Sequence, residues 1–124
     1  MNRVKTFFVP IVPKSPNKVL GKHWGIRARE AKRWREQIRA SAGKPRSDWP
    51  KGPKKFTVIM YLRRIYDPQN VQGAAKPIED ALVHLRWLDG DTERHGNVPD
   101  VSQAPCRENG GKCGTWISIE TITP

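Results

Sequence analysis

Acidic residues and one lysine lie in the second half of the chain at spacings that could hold a divalent metal ion. Asp67 follows an apolar segment, Lys76 and Asp80 are four residues apart, and Asp89 and Asp91 flank a glycine. Carboxylates held close together repel one another unless a cation lies between them, and their oxygens are the ligands that Mg²⁺ and Mn²⁺ prefer. Beside a basic surface, such an ion polarises a phosphodiester and lowers the pKa of an attacking water, while a lysine stabilises the developing negative charge.

The same residues also have an ordinary structural interpretation. Asp67 with the following proline is a common turn starter, and Asp89 with Gly90 is a common turn pair. Lys76 and Asp80 are spaced as a surface ion pair on one helical face, which is worth a few tenths of a kcal/mol. The spacing alone therefore leaves open both a metal site and a set of turns with one ion pair.

The charge of the chain is divided unevenly between its halves. Residues 1–64 carry 18 Lys and Arg against 3 Asp and Glu, a net charge of +15, whereas residues 65–124 carry 5 against 9, a net charge of −4. A basic half of this strength is typical of a polyanion partner, most often a nucleic acid. The alternative is a charged segment that serves only solubility.

Length and composition limit the remaining classes. The 124 residues suffice for one domain, 1–124, and no apolar run approaches the roughly 18 residues of a membrane span. We therefore expect a cytoplasmic protein without a membrane partner. The chain has no phosphate-binding glycine loop or dinucleotide fingerprint, so no small-molecule cofactor is expected.

The elements that must position the acidic residues follow from periodicity and from turn residues. The pattern predicts strands at residues 4–12, 56–62 and 115–122, a helix over 24–42, and a second helix from Val71 to about Arg86. Pro77 requires that the second helix either begins near Lys76 or contains a kink. A turn is expected at 66–70, a short strand within 94–103, and a hairpin turn at 109–111. The class is α/β, a small single domain with a mixed β-sheet flanked by two main helices.

The first helix combines an apolar face with a basic one. The apolar face is predicted to contain Trp24, Ala28, Ala31, Trp34, Ile38 and Ala42. The opposite face offers cations to the phosphates of DNA, and two more arginines follow the strand at 56–62. The predicted DNA-binding residues are Arg27, Arg29, Lys32, Arg33, Arg35, Arg63 and Arg64, and Arg39 lies on the same basic face. A merely solvated face is the alternative.

The central run of the chain resembles the RusA-like Holliday junction resolvases of bacteria and their phages. The resemblance rests on Tyr66-Asp67-Pro68-Gln69-Asn70, on Gly73-Ala74-Ala75-Lys76-Pro77, on Asp80-Ala81-Leu82 and on Leu88-Asp89-Gly90-Asp91. The opening with Pro13, Ser15, Pro16 and Asn17, followed by an arginine-rich helix, is similar to the start of that family. The matching segments are spread over most of the chain.

This resemblance implies a homodimer that binds branched DNA and cuts it near the crossover with Mg²⁺ or Mn²⁺. Residue by residue, it implies that Asp67, Lys76 and Asp91 are catalytic. It also implies that the metal is held by Asp67, Asp80, Asp89 and Asp91. One position departs from the family, because its second turn aspartate is Gln69 here. A glutamine oxygen coordinates a hard cation but brings no charge, so a relative that binds DNA without cutting is the alternative function.

The tryptophans and cysteines give further expectations. Trp34 is predicted to lie in the core, and Trp87 and Trp116 to close it, whereas Trp49 lies in a basic loop where it either packs or stacks on an unpaired base. Phe7 and Phe8 suit the core or a dimer interface. Cys106 and Cys113 have poor zinc spacing, and although a disulfide is geometrically possible, a cytosolic protein is expected to keep it reduced.

Overall fold

The computed structural model describes residues 3–14, 24–90 and 96–122. Its strands are β1 (Val4–Val9), β2 (Lys54–Leu62), β3 (Val98–Pro105) and β4 (Gly114–Thr121), and its helices are α1 (Trp24–Ala42), α2 (Pro68–Ala74) and α3 (Lys76–His84). A short 3₁₀ turn, Cys106–Asn109, lies between β3 and β4. In the described ranges, no helix is long and apolar enough to cross a membrane.

The four strands form one mixed sheet in the order β1-β4-β2-β3. β4 is antiparallel to both β1 and β2, whereas β2 and β3 are parallel neighbours. Parallel neighbours need a crossover connection, and here α2 and α3 supply it. The α/β class and the mixed sheet flanked by two main helices, α1 and α3, are confirmed.

The core lies between one face of the sheet and the helices. β2 alternates as predicted, and its inward side chains are buried: Phe56, Val58, Met60 and Leu62. Strand β4 adds Ile117 and Ile119, α3 adds Ile78 and Leu82, and α1 adds Trp34 and Ile38, all fully buried. This burial fixes the strand register, because a slip by one residue would turn the apolar row of β2 to solvent.

Helix α1 has the predicted bounds but a different buried line. Glu30, Trp34 and Ile38 are buried one turn apart, whereas Ala28 is exposed. The inward line is therefore shifted from the predicted apolar face, and it includes one carboxylate. Glu30 is tolerated there because Lys14 and Arg33 approach its Oε1 to 3.4 and 3.2 Å.

The crossover contains two helices rather than one. α2 already begins at Pro68, so the turn predicted over 66–70 is wrong beyond Asp67, because a proline is well suited to the first helical turn. The break falls at Ala75, and Pro77 lies in the first turn of α3, where its missing N–H costs nothing. Both possibilities considered for Pro77 are thus realised together.

The end of α3 is formed by backbone bonds across its last turn. The amides of Arg86 and Trp87 donate to the carbonyls of Val83 and Leu82, at 3.1 and 2.9 Å. Arg86 has φ +70°, in the left-handed region where helix ends usually place glycine. The helix therefore finishes slightly before the predicted end.

The hairpin predicted at 109–111 is wrong. β3 and β4 are not neighbours, because β4 inserts between β1 and β2. Gly110 has φ +63°, as a glycine turn requires, but the turn does not join two paired strands. Trp116 is also not a core residue. It is 37% exposed on the outer sheet face, where its ring centroid lies 5.2 Å from that of Phe8.

Cys106 and Cys113 are joined as a disulfide that closes a loop of seven-residue separation. The expectation that this pair is reduced is not what the structure shows, and the bond leaves neither thiolate for a zinc ion. The bridge ties the 3₁₀ turn to the start of β4.

Candidate nucleic-acid interface and acidic residues

The segment after β2 carries Arg63, Arg64 and Asp67, all exposed. Its position is set by Gln103 of β3, whose side chain makes two hydrogen bonds to the backbone of Tyr66. The Tyr66 amide donates to Gln103 Oε1 at 2.8 Å, and Gln103 Nε2 donates to the Tyr66 carbonyl at 2.7 Å. These bonds hold the residue next to Asp67 against the carboxyl end of the sheet.

Tyr66 also connects this segment to the N-terminal part of the molecule. Its hydroxyl donates to the Pro13 carbonyl at 2.6 Å. Burial raises the pKa of the Tyr66 phenol, and the negative charge of Glu30 raises it further. Since Glu30 lies in α1, the first half of that basic helix lies at the same end of the sheet as Asp67. We call this end of the sheet, where β2 finishes, the Asp67 end.

Asp67 occupies the residue before the first turn of α2. Its carbonyl accepts from the Asn70 amide at 2.8 Å, whereas its carboxylate makes no capping bond to that helix. Gln69 is exposed one residue into the helix. Asp67 is therefore an exposed carboxylate that follows two exposed arginines by three and four positions in the chain, and it can meet a ligand from there.

Lys76 is the first residue of α3 and forms ion pairs along that helix. Its Nζ lies 3.3 Å from Asp80 Oδ1 and 3.7 Å from Glu79 Oε1. Because the crossover must return the chain to the start of β3, α3 runs back along the sheet and its first residue lies toward the Asp67 end. Lys76 and Asp80 are each more than half exposed, so this pair contributes little to stability.

Asp89 lies at the other end of the sheet. Its Oδ2 accepts from the Gly52 amide at 2.5 Å, just before β2 begins. The next residue, Gly90, accepts at its carbonyl from Asn97 Nδ2 at 3.0 Å, and Asn97 Oδ1 accepts from the Lys54 amide at 2.9 Å. Asp89 is thus held by the loop before β2.

The strand separates Asp89 from the Asp67 end. Gln103, which holds Tyr66, pairs with Met60, six residues along β2 from Lys54. At about 3.3 Å per residue, the two positions are roughly 20 Å apart. Within one chain, the structure does not bring Asp67 and Asp89 together.

The predicted metal ligands are therefore only partly described. Asp91 lies outside the described residues, as do Ser15, Pro16 and Asn17 of the opening that resembles the family. Over 3–14, 24–90 and 96–122, no group of three or more His, Cys, Asp or Glu side chains is arranged to hold a metal ion. Asp67 and Gln69 alone supply one charged oxygen ligand and one neutral one, too few for a divalent cation.

The predicted DNA-binding residues of α1 are largely accessible. Arg27, Arg29 and Lys32 are exposed and Arg35 is half-buried. Arg33 differs, because its Nη1 bonds to the buried Glu30 at 3.2 Å and part of its charge is compensated. A positively charged helix surface thus adjoins the Asp67 end.

Sequence reasoning missed the residues that position this region. Gln103 and Asn97 hold two loops through side-chain bonds to backbone, and neither stands in a recognisable pattern. Lys54 lies outside the strand predicted at 56–62, but it is the first residue of β2 and fully buried. The signal available for Lys54 was its place in the alternation of β2, two residues before Phe56.

A scan against protein-family models and a search of curated proteins found no match to this chain. The RusA-like resemblance therefore stays a prediction that rests on the residues quoted for it.

Proposed function

We propose that the protein is a divalent-metal-dependent endonuclease that binds branched DNA, such as Holliday junctions, and hydrolyses phosphodiesters near the crossover. The observation that supports this most is the grouping at the Asp67 end. There the exposed Arg63 and Arg64 shortly precede the exposed Asp67 in the chain. Glu30 of the basic helix α1 lies near the neighbouring Tyr66, and the crossover directs Lys76 toward the same end. A phosphate bound by the arginines would meet both a carboxylate and an ammonium group.

The proposal gives each group a distinct task. The arginines bind the phosphates that flank the cut, and Lys76, oriented by Asp80 at 3.3 Å, stabilises the negative charge that develops on the phosphate. Asp67, Gln69 and Asp91 would hold the metal, which when bound supplies Lewis-acid polarisation of the phosphate. The proposal requires Asp91 to meet Asp67 and Lys76 at one phosphate. Because Asp89 lies roughly 20 Å from the Asp67 end and two residues span at most about 7 Å, this Asp91 would come from the second subunit. Symmetric cutting of a junction needs two such sites, so a homodimer is part of it.

A second candidate is a protein that binds branched DNA without cutting it. Two observations favour it: Gln69 lacks the charge of an aspartate, and Asp89 is bonded to Gly52 about a strand length away from Asp67. This protein would keep the basic surface and its salt-dependent affinity.

A denaturing-gel assay separates the two candidates. A labelled four-way junction and a linear duplex of the same sequence are incubated with the protein in Mg²⁺, Mn²⁺ or EDTA. The nuclease predicts paired symmetric nicks on the junction that appear only with metal. Junction binding in a mobility-shift gel without nicks in any metal would establish the second candidate instead.

Asp91→Asn tests the site itself. We expect it to abolish cutting and to leave junction affinity equal or tighter, because repulsion between carboxylate and phosphate is removed. Asp100→Asn is the matched control, since Asp100 is an exposed carboxylate on β3 outside the site. Cutting by Asp91→Asn at the wild-type rate would show that the site is assigned wrongly.

A further inference from the structure

A second basic surface lies at the end of the sheet opposite Asp67. Two adjoining clefts of about 350 and 720 Å³ share Arg46 and Trp49. The smaller is lined by Arg3, Lys5 and Lys44 as well, and the larger by Lys51 and Arg86. We call this pair of clefts the Trp49 groove.

The floor of the Trp49 groove is a pair of fixed indoles. The rings of Trp49 and Trp87 meet edge to face with centroids 5.0 Å apart. Trp49 Nε1 donates to the Trp87 carbonyl at 3.1 Å, and Trp87 Nε1 donates to the Gly43 carbonyl at 3.0 Å, at the end of α1. Since the indole N–H groups of Trp49 and Trp87 are both bonded and their rings pack against each other, the pair is a rigid support for the cations above it. It is not a surface on which an unpaired base needs to stack.

The indoles hold cations in place over their faces. Arg3 Cζ lies 5.6 Å from the Trp49 ring centroid, and Lys5 Nζ lies 5.8 Å from that of Trp87. Cation–π attraction positions a cation without neutralising its charge. Lys54 Nζ also lies 5.9 Å from the Trp49 ring, but it donates to the Gly52 carbonyl and is buried beneath the groove.

Over the described ranges 3–14, 24–90 and 96–122, two carboxylates lie close to these cations. Asp48 approaches Arg3 at 3.5 Å, and Asp89 lines the larger cleft while accepting from the Gly52 amide. Among the residues that the structure describes, six basic side chains and these two acids leave an excess of positive charge along a concave surface, which focuses the field on an anion.

Arg86 enters the groove from a backbone position that a glycine would occupy with less strain. Its φ of +70° lies in the left-handed region, and it is exposed along the larger cleft. The backbone alone would favour glycine at this position, so what arginine adds is a charged side chain along the larger cleft.

We propose that the Trp49 groove binds the phosphodiester backbone of a DNA strand. Two adjoining clefts with shared lining fit an elongated polyanion better than a single small anion, and arginine and lysine are the usual phosphate ligands. The inference rests on the proposed DNA-binding function and extends it. The groove contacts DNA that lies about 20 Å from Asp67, on an arm flanking the cut.

Fluorescence anisotropy with a labelled four-way junction tests the groove. The variant is Lys44→Gln with Arg46→Gln, both exposed loop residues, and the control is Arg107→Gln with Lys112→Gln, which removes the same charge from exposed residues outside the groove. We expect at least a tenfold loss of affinity for the groove variant and less than threefold for the control. The slope of log affinity against log salt should fall by about 2, since each lost phosphate contact removes about 0.9.

Arg86→Gly provides a test that a loss of folding cannot imitate. The substitution relieves the left-handed backbone, so its melting temperature should equal or exceed that of the wild type. Its junction affinity should nevertheless fall severalfold. Unchanged affinity would mean that Arg86 does not contact DNA and would count against the groove.

The outcomes also separate the groove from the proposed function. If the groove variant and the control lose affinity equally while wild-type protein still binds and cuts junctions, the groove is overturned and the nuclease stands. If wild-type protein binds junctions but cuts none in any metal, the nuclease fails, and the affinity ratio of the two variants still decides the groove.

Discussion

At the residue scale, the decisive position is Gln69. It stands where the family that this chain resembles has an aspartate. Gln69 is the second residue of α2 and is exposed, two positions after Asp67. We expect Gln69→Asp to raise metal-dependent junction cutting by at least tenfold at limiting Mg²⁺, because a second anionic ligand strengthens binding of a hard cation. The measurement is the initial cutting rate against Mg²⁺ concentration. Gln72→Asp, on the same helix and also exposed, controls for charge, and equal gains in both variants would contradict the prediction.

The buried Lys54 makes the free energy of unfolding depend on pH in the alkaline range. Burial lowers its pKa from the usual value, although the charge of Asp89 opposes the shift. Between the lowered value and about 10.4, the unfolded chain therefore binds more protons than the folded one, and the free energy of unfolding rises with pH. Lys54→Met removes this rise, since methionine has a similar length and no charge. Urea unfolding at several pH values from 7.5 to 10 measures the two slopes.

Tyr66 changes the free energy of unfolding in the opposite direction, at somewhat higher pH. Its raised pKa means that the folded chain keeps a proton which the unfolded chain loses near pH 10, so the free energy of unfolding falls as pH rises further. The Lys54 comparison is therefore best made in a Tyr66→Phe background. Identical slopes with and without Lys54 in that background would refute the assignment of the rise to Lys54.

At the element scale, two side-chain-to-backbone bonds from β3 position the segment before α2. Gln103→Ala removes both and leaves the Tyr66 amide and carbonyl without these partners, which we expect to cost about 1–3 kcal/mol of folding free energy. Junction cutting should fall more than junction affinity, because Asp67 loses its placement while the arginines remain. Gln103→Glu keeps the acceptor but not the donor, so its folding free energy should lie between those of the wild type and Gln103→Ala. A stability loss with unchanged cutting would show that the bonds are structural only.

The disulfide also acts at the element scale, because it links the 3₁₀ turn to β4. Closing a loop of seven-residue separation stabilises by about 2–2.5 kcal/mol in the chain-entropy estimate. We expect Cys106→Ser with Cys113→Ser to lower the melting temperature by about 5–10 °C. Wild-type protein under a strong reductant should melt like the variant. A melting temperature unaffected by either change would mean that the folded turn is stable without the bond.

The success of sequence reasoning also varied with the element. The bounds of α1 and the alternation of β2 were predictable because each follows from a local periodicity of apolar residues. The pairing of β4 was not, since Asn109-Gly110-Gly111 specifies a turn but not which strands flank it. The placement of the acidic residues depends instead on the crossover between β2 and β3. With β3 parallel to β2, residues after β2 and residues after α3 fall at opposite ends of the sheet, which separates Asp67 from Asp89.

At the scale of the whole molecule, α1 joins the two basic regions. Its first half lies near Tyr66 through Glu30, and its end reaches the indole pair through the Gly43 carbonyl. Charge asymmetry in the sequence predicted a polyanion surface, and Arg27, Arg29 and Lys32 are exposed along its first half. The sequence could not show the Trp49 groove, because Arg3, Arg46 and Arg86 come from three distant segments.

This arrangement predicts a footprint length for the DNA. The 19 residues of α1 span about 28 Å, which matches about 8 base pairs at 3.4 Å each. For capped duplexes of 5, 8, 12 and 16 base pairs, the salt dependence of affinity should steepen up to about 8 and then stay constant, because longer DNA adds positions but no phosphate contacts. In the Lys44→Gln, Arg46→Gln variant the plateau should come at a shorter duplex. If the slope of log affinity against log salt in the wild type is as steep at 5 base pairs as at 16, the two basic regions do not bind one continuous duplex.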